Sequence, residues 1–331
     1  MKASFALMFI ADTRKRLWVP LYNAKCYSSV GCYASITDDF VLKTVQLKIY
    51  TGFIHVRLSC ETIMRNWDDE FANMAHVPGS DKLQAYWAAE GSAYRQQLNS
   101  FENVPYGSES RESIDLVLPV GTPKGLVVFV HGGYWMRTSP SDWTQLAEGA
   151  RAQGWAVAMP GYTLAPDASI AHITQQVQQA IVVASEAVSG PIILTGHSAG
   201  GHLVARAMCT DSDLPQSIIE RIKHCMPISG VFDLRPLLWT AMNDVLHLDD
   251  AQAIAASPVL CRPHSQSRCT FWVGADERPE FVRQNRLMAI MWDGLSAQVT
   301  QFEDPGKHHF SVIEGLRDPA SDLTTALLKI D

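Results

Sequence analysis

Ile192-Ile193-Leu194-Thr195-Gly196-His197-Ser198-Ala199-Gly200-Gly201-His202-Leu203 is the stretch that decides the fold. Apolar and β-branched residues run straight into Gly-x-Ser-x-Gly, after which Leu203, Val204 and Ala207 recur at helical spacing. A strand that turns abruptly into a helix puts its serine in a strained backbone conformation. The flanking glycines avoid the clash that a Cβ would cause, and the hydroxyl is left exposed at the tip.

Upstream, Leu126 to Val130 is a second apolar run, and it opens into His131-Gly132-Gly133-Tyr134-Trp135. Backbone amides near Gly132 and Gly133, joined by that of Ala199, can form an oxyanion hole, and glycine allows the close approach this needs. Serine is a poor nucleophile at neutral pH, so Ser198 needs a base and a group that orients the base. The chain order serine, acid, histidine points downstream, to the carboxylates after the strand Thr270 to Val273 and to His308 and His309. Glu277 is favoured over Asp276 as the acid, and His309 over His308 as the base. His131 and His197 are expected to brace the loops by hydrogen bonds. No His-x-x-x-His or His-Glu-x-x-His pair occurs on one helix, so neither a metal nor another cofactor is expected.

Working outward, strands are predicted at Ser113 to Val120, Leu126 to Val130, Trp155 to Met159, Ile192 to Thr195, His224 to Ile228, Thr270 to Val273 and Gln298 to Phe302. Between them, Ser139-Pro140 reads as the start of a helix running to Gln153. Ile170, Ile173, Val177, Ile181, Ala184 and Val188 form an amphipathic stripe, and further helices are expected at Pro279 to Trp292 and Ser321 to Ile330. Such alternation implies a mainly parallel, doubly wound sheet. Leu83, Trp87, Tyr94 and Leu98 predict helices that either cross the pocket mouth or pack as core. Val231 to Pro263 interrupts the rhythm and is expected to be a small cap, with Leu234, Leu237, Leu238 and Trp239 as a roof, or else an ordinary surface excursion with its own small core.

The chain has 331 residues, 47% of them hydrophobic, enough for one large α/β domain. With 27 Lys plus Arg against 34 Asp plus Glu, its charge of −7 favours neither nucleic acid nor an anionic membrane. No apolar run reaches the roughly 18 residues of a membrane span. Cys26, Cys32, Cys60, Cys209, Cys225, Cys261 and Cys269 show no Cys-x-x-Cys spacing, and reduced thiols in a cytoplasmic protein are expected. The start lacks a small-residue cleavage site and does not read as a signal peptide. Residues 1–63 are expected to be an appendage outside the natural product, with translation starting at Met64 and the catalytic domain spanning 64–331; the intact mass of the native protein tests this.

Five segments together resemble the α/β-hydrolase superfamily, and within it the serine-dependent arylformamidases (kynurenine formamidases) and related small-molecule esterases. They are His131 to Trp135, Gly196 to Leu203, Ser229-Gly230-Val231-Phe232-Asp233-Leu234-Arg235-Pro236-Leu237, Glu277-Arg278-Pro279-Glu280-Phe281 and His308-His309-Phe310. The resemblance implies an α/β-hydrolase fold and hydrolysis of N-formylkynurenine to kynurenine and formate. Ser198 would attack the formyl carbon and His309 would relay the proton. It implies no cofactor, and a small-molecule partner, an aryl formamide or a short acyl ester; a homo-oligomer is compatible with it. Tyr134 and Trp135 are expected to bound a tight acyl site and stack on the aryl ring, or else simply to pack beside the loop. The family pattern can carry aspartate at the position of Glu277. A carboxylesterase for short acyl esters is the alternative, and a ligand-binding protein without activity a minor one.

Overall fold

The apolar runs become the strands of one eight-stranded sheet. They are β1 Phe101–Pro105, β2 Ser113–Val117, β3 Leu126–Val130, β4 Ala156–Pro160, β5 Ile192–His197, β6 Ile222–Ile228, β7 Arg268–Gly274 and β8 Gln298–Asp304, in the spatial order β8-β7-β6-β5-β3-β4-β2-β1. Strands β3 to β8 are mutually parallel, while β2 runs antiparallel to both of its neighbours. The computed structural model describes residues 65–330 except 266 and 296. Before them it describes only the backbone of Ala6–Leu7 paired with Val19–Pro20 and of Thr44–Tyr50 paired with Phe53–Ser59. Two compact units result, Met1–Asn66 and Trp67–Asp331. Those four strands apart, the expected appendage and the start at Met64 lie outside the described residues.

Central strands buried on both faces must be apolar at every position, and β3 is: Val128 and Val130 join one core while Val127 and Phe129 join the other. The first core is closed by α2 Ile170–Ala187, α3 Ala199–Ala207 and α4 Pro279–Asp293. The second is closed by α1 Leu83–Arg95 and α5 Asp322–Leu328. Ser169 caps α2 by accepting the His172 N–H at 3.2 Å, and the stripe Ile170, Ile173, Val177, Ile181 is fully buried. Each such side chain contributes about 1.5–3 kcal/mol relative to leaving it in water.

Register places the functional loops. Val130 pairs with Gly196, Ile228 with His197 and Trp272, and Gly274 with Asp304, so the five loops after β3, β5, β6, β7 and β8 leave the sheet at one carboxyl edge.

Three expectations change. The helix from Ser139 to Gln153 is broken into 3-10 turns at Pro140–Asp142 and Thr144–Ala147 and a short helix at Glu148–Ala152. Trp143 leaves helical geometry (φ −122°, ψ 6°) so that its indole can bury against Trp87, ring centroids 4.5 Å apart. Strand β1 was not expected. It is an edge strand with exposed Glu102, Asn103 and Pro105, and so lacks a sustained apolar alternation. In the stretch 231–263, Leu234 and Leu237 are core residues, and the exposed Trp239 stacks on Trp67 instead of roofing a cavity. Among the described residues no helix is long and apolar enough to cross a membrane.

Candidate active site

Strand β5 is buried throughout and ends at His197, and Ser198 turns the chain at φ 55°, ψ −116° into α3. The turn is fixed by backbone bonds from Ser198 N–H to Ile228 carbonyl at 2.9 Å and from His202 N–H to Ser198 carbonyl at 3.1 Å. A Cβ on Gly200 would lie 1.9 Å from the Val130 carbonyl oxygen and one on Gly196 2.4 Å from that of Gly200, so neither position admits a side chain. Sterics thus account for both glycines of Gly-x-Ser-x-Gly. The Ser198 side chain lines a cavity of about 330 Å³.

His309 lines the same cavity. Its Nδ1 lies 2.6 Å from Glu277 Oε2, both residues being buried. The other carboxylate oxygen, Oε1, accepts the Ser229 hydroxyl at 2.5 Å and the Gly274 N–H at 2.8 Å. A carboxylate held by two donors cannot swing away from the imidazole, so the ring keeps its proton at Nδ1 and Nε2 remains for the cavity. Ser229 is a residue that sequence reasoning passed over. It stands in the segment that carries the resemblance, yet a serine one residue past a strand looks like any turn residue.

The neighbouring alternatives are occupied elsewhere. Asp276 is exposed, with its N–H on the Lys307 carbonyl at 3.0 Å. His308 Nδ1 accepts the N–H groups of Phe310 and Ser311 at 3.2 and 3.3 Å, capping its own turn. Of the four candidates, then, Glu277 and His309 are the ones brought together. His197 Nε2 donates to the His309 carbonyl at 2.8 Å, and burial, followed by the electrostatic effect of the neighbouring His309 ring, pushes the His197 ring well below its ordinary range, so it is a neutral brace.

The loop after β3 lies against the serine: a Cβ on Gly132 would come 3.0 Å from that of Ser198. His131 Nδ1 is bonded to the Gly132 carbonyl at 2.8 Å, its ring stacks on Tyr162 at 4.3 Å, and burial pushes it down to about 3. Gly133 (φ 105°) is followed by Tyr134 (φ 52°) and Trp135 (φ 59°), two side-chain-bearing residues in left-handed geometry. Each costs on the order of 1–3 kcal/mol and persists only because its surroundings hold it. Gly133 lines the cavity, and Ala199 is the first residue of α3, whose leading N–H groups have no acceptor within the helix. Gly132 thus lies against Ser198, Ala199 follows it in the chain and Gly133 lines the same cavity.

The two aromatics of this loop part ways. Tyr134 lines the cavity, donating its hydroxyl to the Phe71 carbonyl at 2.6 Å and accepting from Asn73 Nδ2 at 3.1 Å. Trp135 does not: its indole is fully buried in the core, edge-on to His202 at 5.1 Å. Its place in the core corrects the expectation that Trp135 contacts the substrate and matches the alternative, packing beside the loop.

The cavity is roofed by Phe71, Met74, Trp87 and Phe310, with Met242 the contribution of the 231–263 stretch. Residues 71–87 thus take the place expected of the cap. Among the described residues no acidic side chain lines the cavity, and Arg137 stands in its wall. The candidate metal-donor group among the described residues, Cys209, Asp211 and Cys261, lies past the far end of α3 and not in this cavity.

Comparison with known proteins gives three findings. A family model described as the Alpha/beta hydrolase family matches residues 127–324. The kynurenine formamidases of Salmo salar and Danio rerio are each 32% identical, over 238 and 246 residues, covering 69% and 71% of this chain and 81% and 83% of those proteins. Among solved structures, a Silicibacter sp. protein provisionally named a thioesterase aligns with a TM-score of 0.76 at 45% identity, covering 79% of this chain and 98% of that chain.

Proposed function

Because the chain belongs to the alpha/beta hydrolase family and resembles its kynurenine formamidases, we propose that it is a cytoplasmic serine hydrolase that removes a formyl group from an aryl amide, N-formylkynurenine being the substrate. The observation that carries this reading is the convergence of Ser198 and the Glu277-bound His309 on one cavity beside the Gly132-Gly133 loop.

In the proposed reaction Ser198 Oγ attacks the formyl carbon as its proton passes to His309 Nε2. The N–H groups of Gly132, Gly133 and Ala199 receive the negative oxygen of the tetrahedral intermediate, a contribution of about 3–4 kcal/mol for a single donor in comparable sites. His309 then protonates the leaving aryl amine, and the imidazolium formed in between is stabilised by Glu277. Water, deprotonated by His309, attacks the formyl-serine and releases formate. The apolar roof suits an aryl leaving group, and Tyr134 leaves room for a small acyl group.

A second reading, hydrolysis of short acyl esters or thioesters by the same residues, is favoured by the 45% identity to the provisional thioesterase, which exceeds the 32% shared with the formamidases. Values of kcat/KM measured side by side for N-formylkynurenine, short esters and thioesters separate the two. A preference of about tenfold or more for esters, some 1.4 kcal/mol of transition-state binding, overturns the formamidase reading. Labelling of Ser198 by a fluorophosphonate tests the catalytic assignment itself.

A further inference from the structure

The reaction just described uses none of the thiols. Cys209, Cys225, Cys261 and Cys269 are all unpaired, and Cys209 and Cys261 meet beyond the carboxyl end of α3. Cys209 is fully buried there, with its thiol on the Ala205 carbonyl at 3.4 Å. Cys261 is half-buried and follows the turn Pro258–Leu260. A backbone seam holds the two segments side by side: Thr210 N–H to Arg262 carbonyl at 2.9 Å, and His264 N–H to Met208 carbonyl at 3.0 Å. The two sulfurs and a carboxylate oxygen of Asp211 lie within 4.8 Å of one another. Arg206 Nη1 donates to Cys261 Sγ at 3.0 Å, while the same guanidinium grips Asp211 at 3.0 and 3.1 Å.

We propose that Cys261 and Cys209 form a redox modification site, in which Cys261 reduces a hydroperoxide and Cys209 then closes a disulfide with it. Reactive thiols sit partly exposed beside a positive charge, and Cys261 meets both conditions. The pair is asymmetric as the chemistry requires. Cys261 is half-buried and takes the Arg206 guanidinium on its sulfur, while Cys209 is fully buried with its thiol on a backbone carbonyl. Cys225 and Cys269 supply an internal contrast: they are register partners on β6 and β7, both fully buried, and burial pushes Cys225 well up.

The Cys261 thiolate attacks one oxygen of hydrogen peroxide, breaks the O–O bond and becomes a sulfenic acid as hydroxide leaves and is protonated to water. Cys209 sulfur then attacks Cys261 sulfur, the sulfenic hydroxyl departs with the Cys209 proton as a second water, and both electrons needed have come from the two thiols. The guanidinium already supplies the positive charge between Cys261 and Asp211, which disfavours a metal cation at the same donors.

The full chain, reduced and desalted, is exposed to limiting hydrogen peroxide, alkylated, digested and mapped by mass spectrometry. The Cys209–Cys261 disulfide is expected as the main product, with Cys225 and Cys269 alkylated. Cys261→Ser should abolish the disulfide and slow peroxide consumption by protein thiols at least ~10-fold. Cys209→Ala should leave Cys261 as a sulfenic acid captured by dimedone; if emptying that buried position prevents folding, the wild-type map alone decides. A Cys261 that stays alkylatable while other thiols oxidise, or that bonds to Cys26, Cys32, Cys60 or any partner other than Cys209, overturns the proposal. Hydrolysis is not the readout, so the outcome is independent of the role given to Ser198.

Discussion

The floor and the roof of the cavity are built by different physics. The floor residues stand at or just past the ends of β5, β6, β7 and β8, locked by buried hydrogen bonds of 2.5 to 2.9 Å: Glu277 to Ser229 and Gly274, His197 to the His309 carbonyl, Ser198 to Ile228. The roof, around Phe71, Met74 and Met242, rests on apolar contact and on few tethers. Tyr134 and Asn73 supply one, and a surface-level cluster of Asp69 with His76 at 2.8 Å and Arg278 at 2.5 Å supplies another. Fixed geometry is what lowers a barrier, whereas a packed, adjustable lid sorts substrates. Substitutions in the floor should therefore act on kcat, and those in the roof on KM and on the ratio between substrates.

The largest effect is expected from Ser198→Ala, which keeps the Cβ and the backbone turn and removes the hydroxyl proposed as the nucleophile. A kcat loss of about 10⁴-fold or more, with the melting temperature nearly unchanged, is the predicted result. Next comes Glu277→Gln, which keeps the size of the side chain but cannot stabilise the imidazolium; about 10²- to 10⁴-fold in kcat should be lost. Asp276→Asn is its control, expected to stay within about twofold because an exposed side chain carries none of this network. Should Asp276→Asn be the damaging change, the floor as drawn here has the wrong acid.

Acid distinguishes floor from roof in another way. Burial pushes His131 and His202 down to about 3 and His197 well below its ordinary range, so all three are neutral when folded. In the unfolded chain each titrates near 6.5, and there the unfolded state binds the proton first. Stability is thus complete above that pH and falls as pH drops toward the folded values, by up to ~1.4 kcal/mol per pH unit for each histidine. The roof tether behaves differently: the hydrogen bond from His76, opposed by desolvation and assisted by the Arg278 charge, holds Asp69 below its ordinary value, so this charge survives further into acid. Urea denaturation between pH 7 and pH 5 measures the floor term, and a flat stability across pH 6 to 5 would contradict it.

Floor and roof were also unequally legible in the sequence. Gly-x-Ser-x-Gly, the glycine pair after β3 and the order serine, acid, histidine each reflect a steric or chemical demand that admits few residue types, so Ser198 and the neighbouring pairs Asp276-Glu277 and His308-His309 could be named from residues alone, with Glu277 and His309 as the favoured members. The support behind them could not. Ser229 acts through a carboxylate far along the chain, and that partnership exists only once Ile228 and Trp272 are in register. Tyr134 and Trp135, which meet opposite fates, both stand at positive φ angles that no side-chain pattern announces. The roof was misread for a related reason: an apolar cluster such as Leu234 and Leu237 looks the same whether it covers a cavity or fills a core, and here it fills the core.

The smallest predicted effect is the sharpest test of the division. Met242 reaches the cavity from the 231–263 stretch and is only half-buried, so Met242→Ala removes roof surface without touching a bond of the floor. Truncating an apolar contact to a leaving group is worth about 1 kcal/mol or slightly more, which corresponds to a rise of roughly three- to tenfold in KM for a bulky aryl substrate. For p-nitrophenyl acetate, which is small, both kcat and KM should stay within about twofold, since its acyl carbon meets the same Ser198 and the same amides. An equal fall in kcat for both substrates would mean that the roof helps to hold the reacting groups, and that floor and roof are one device.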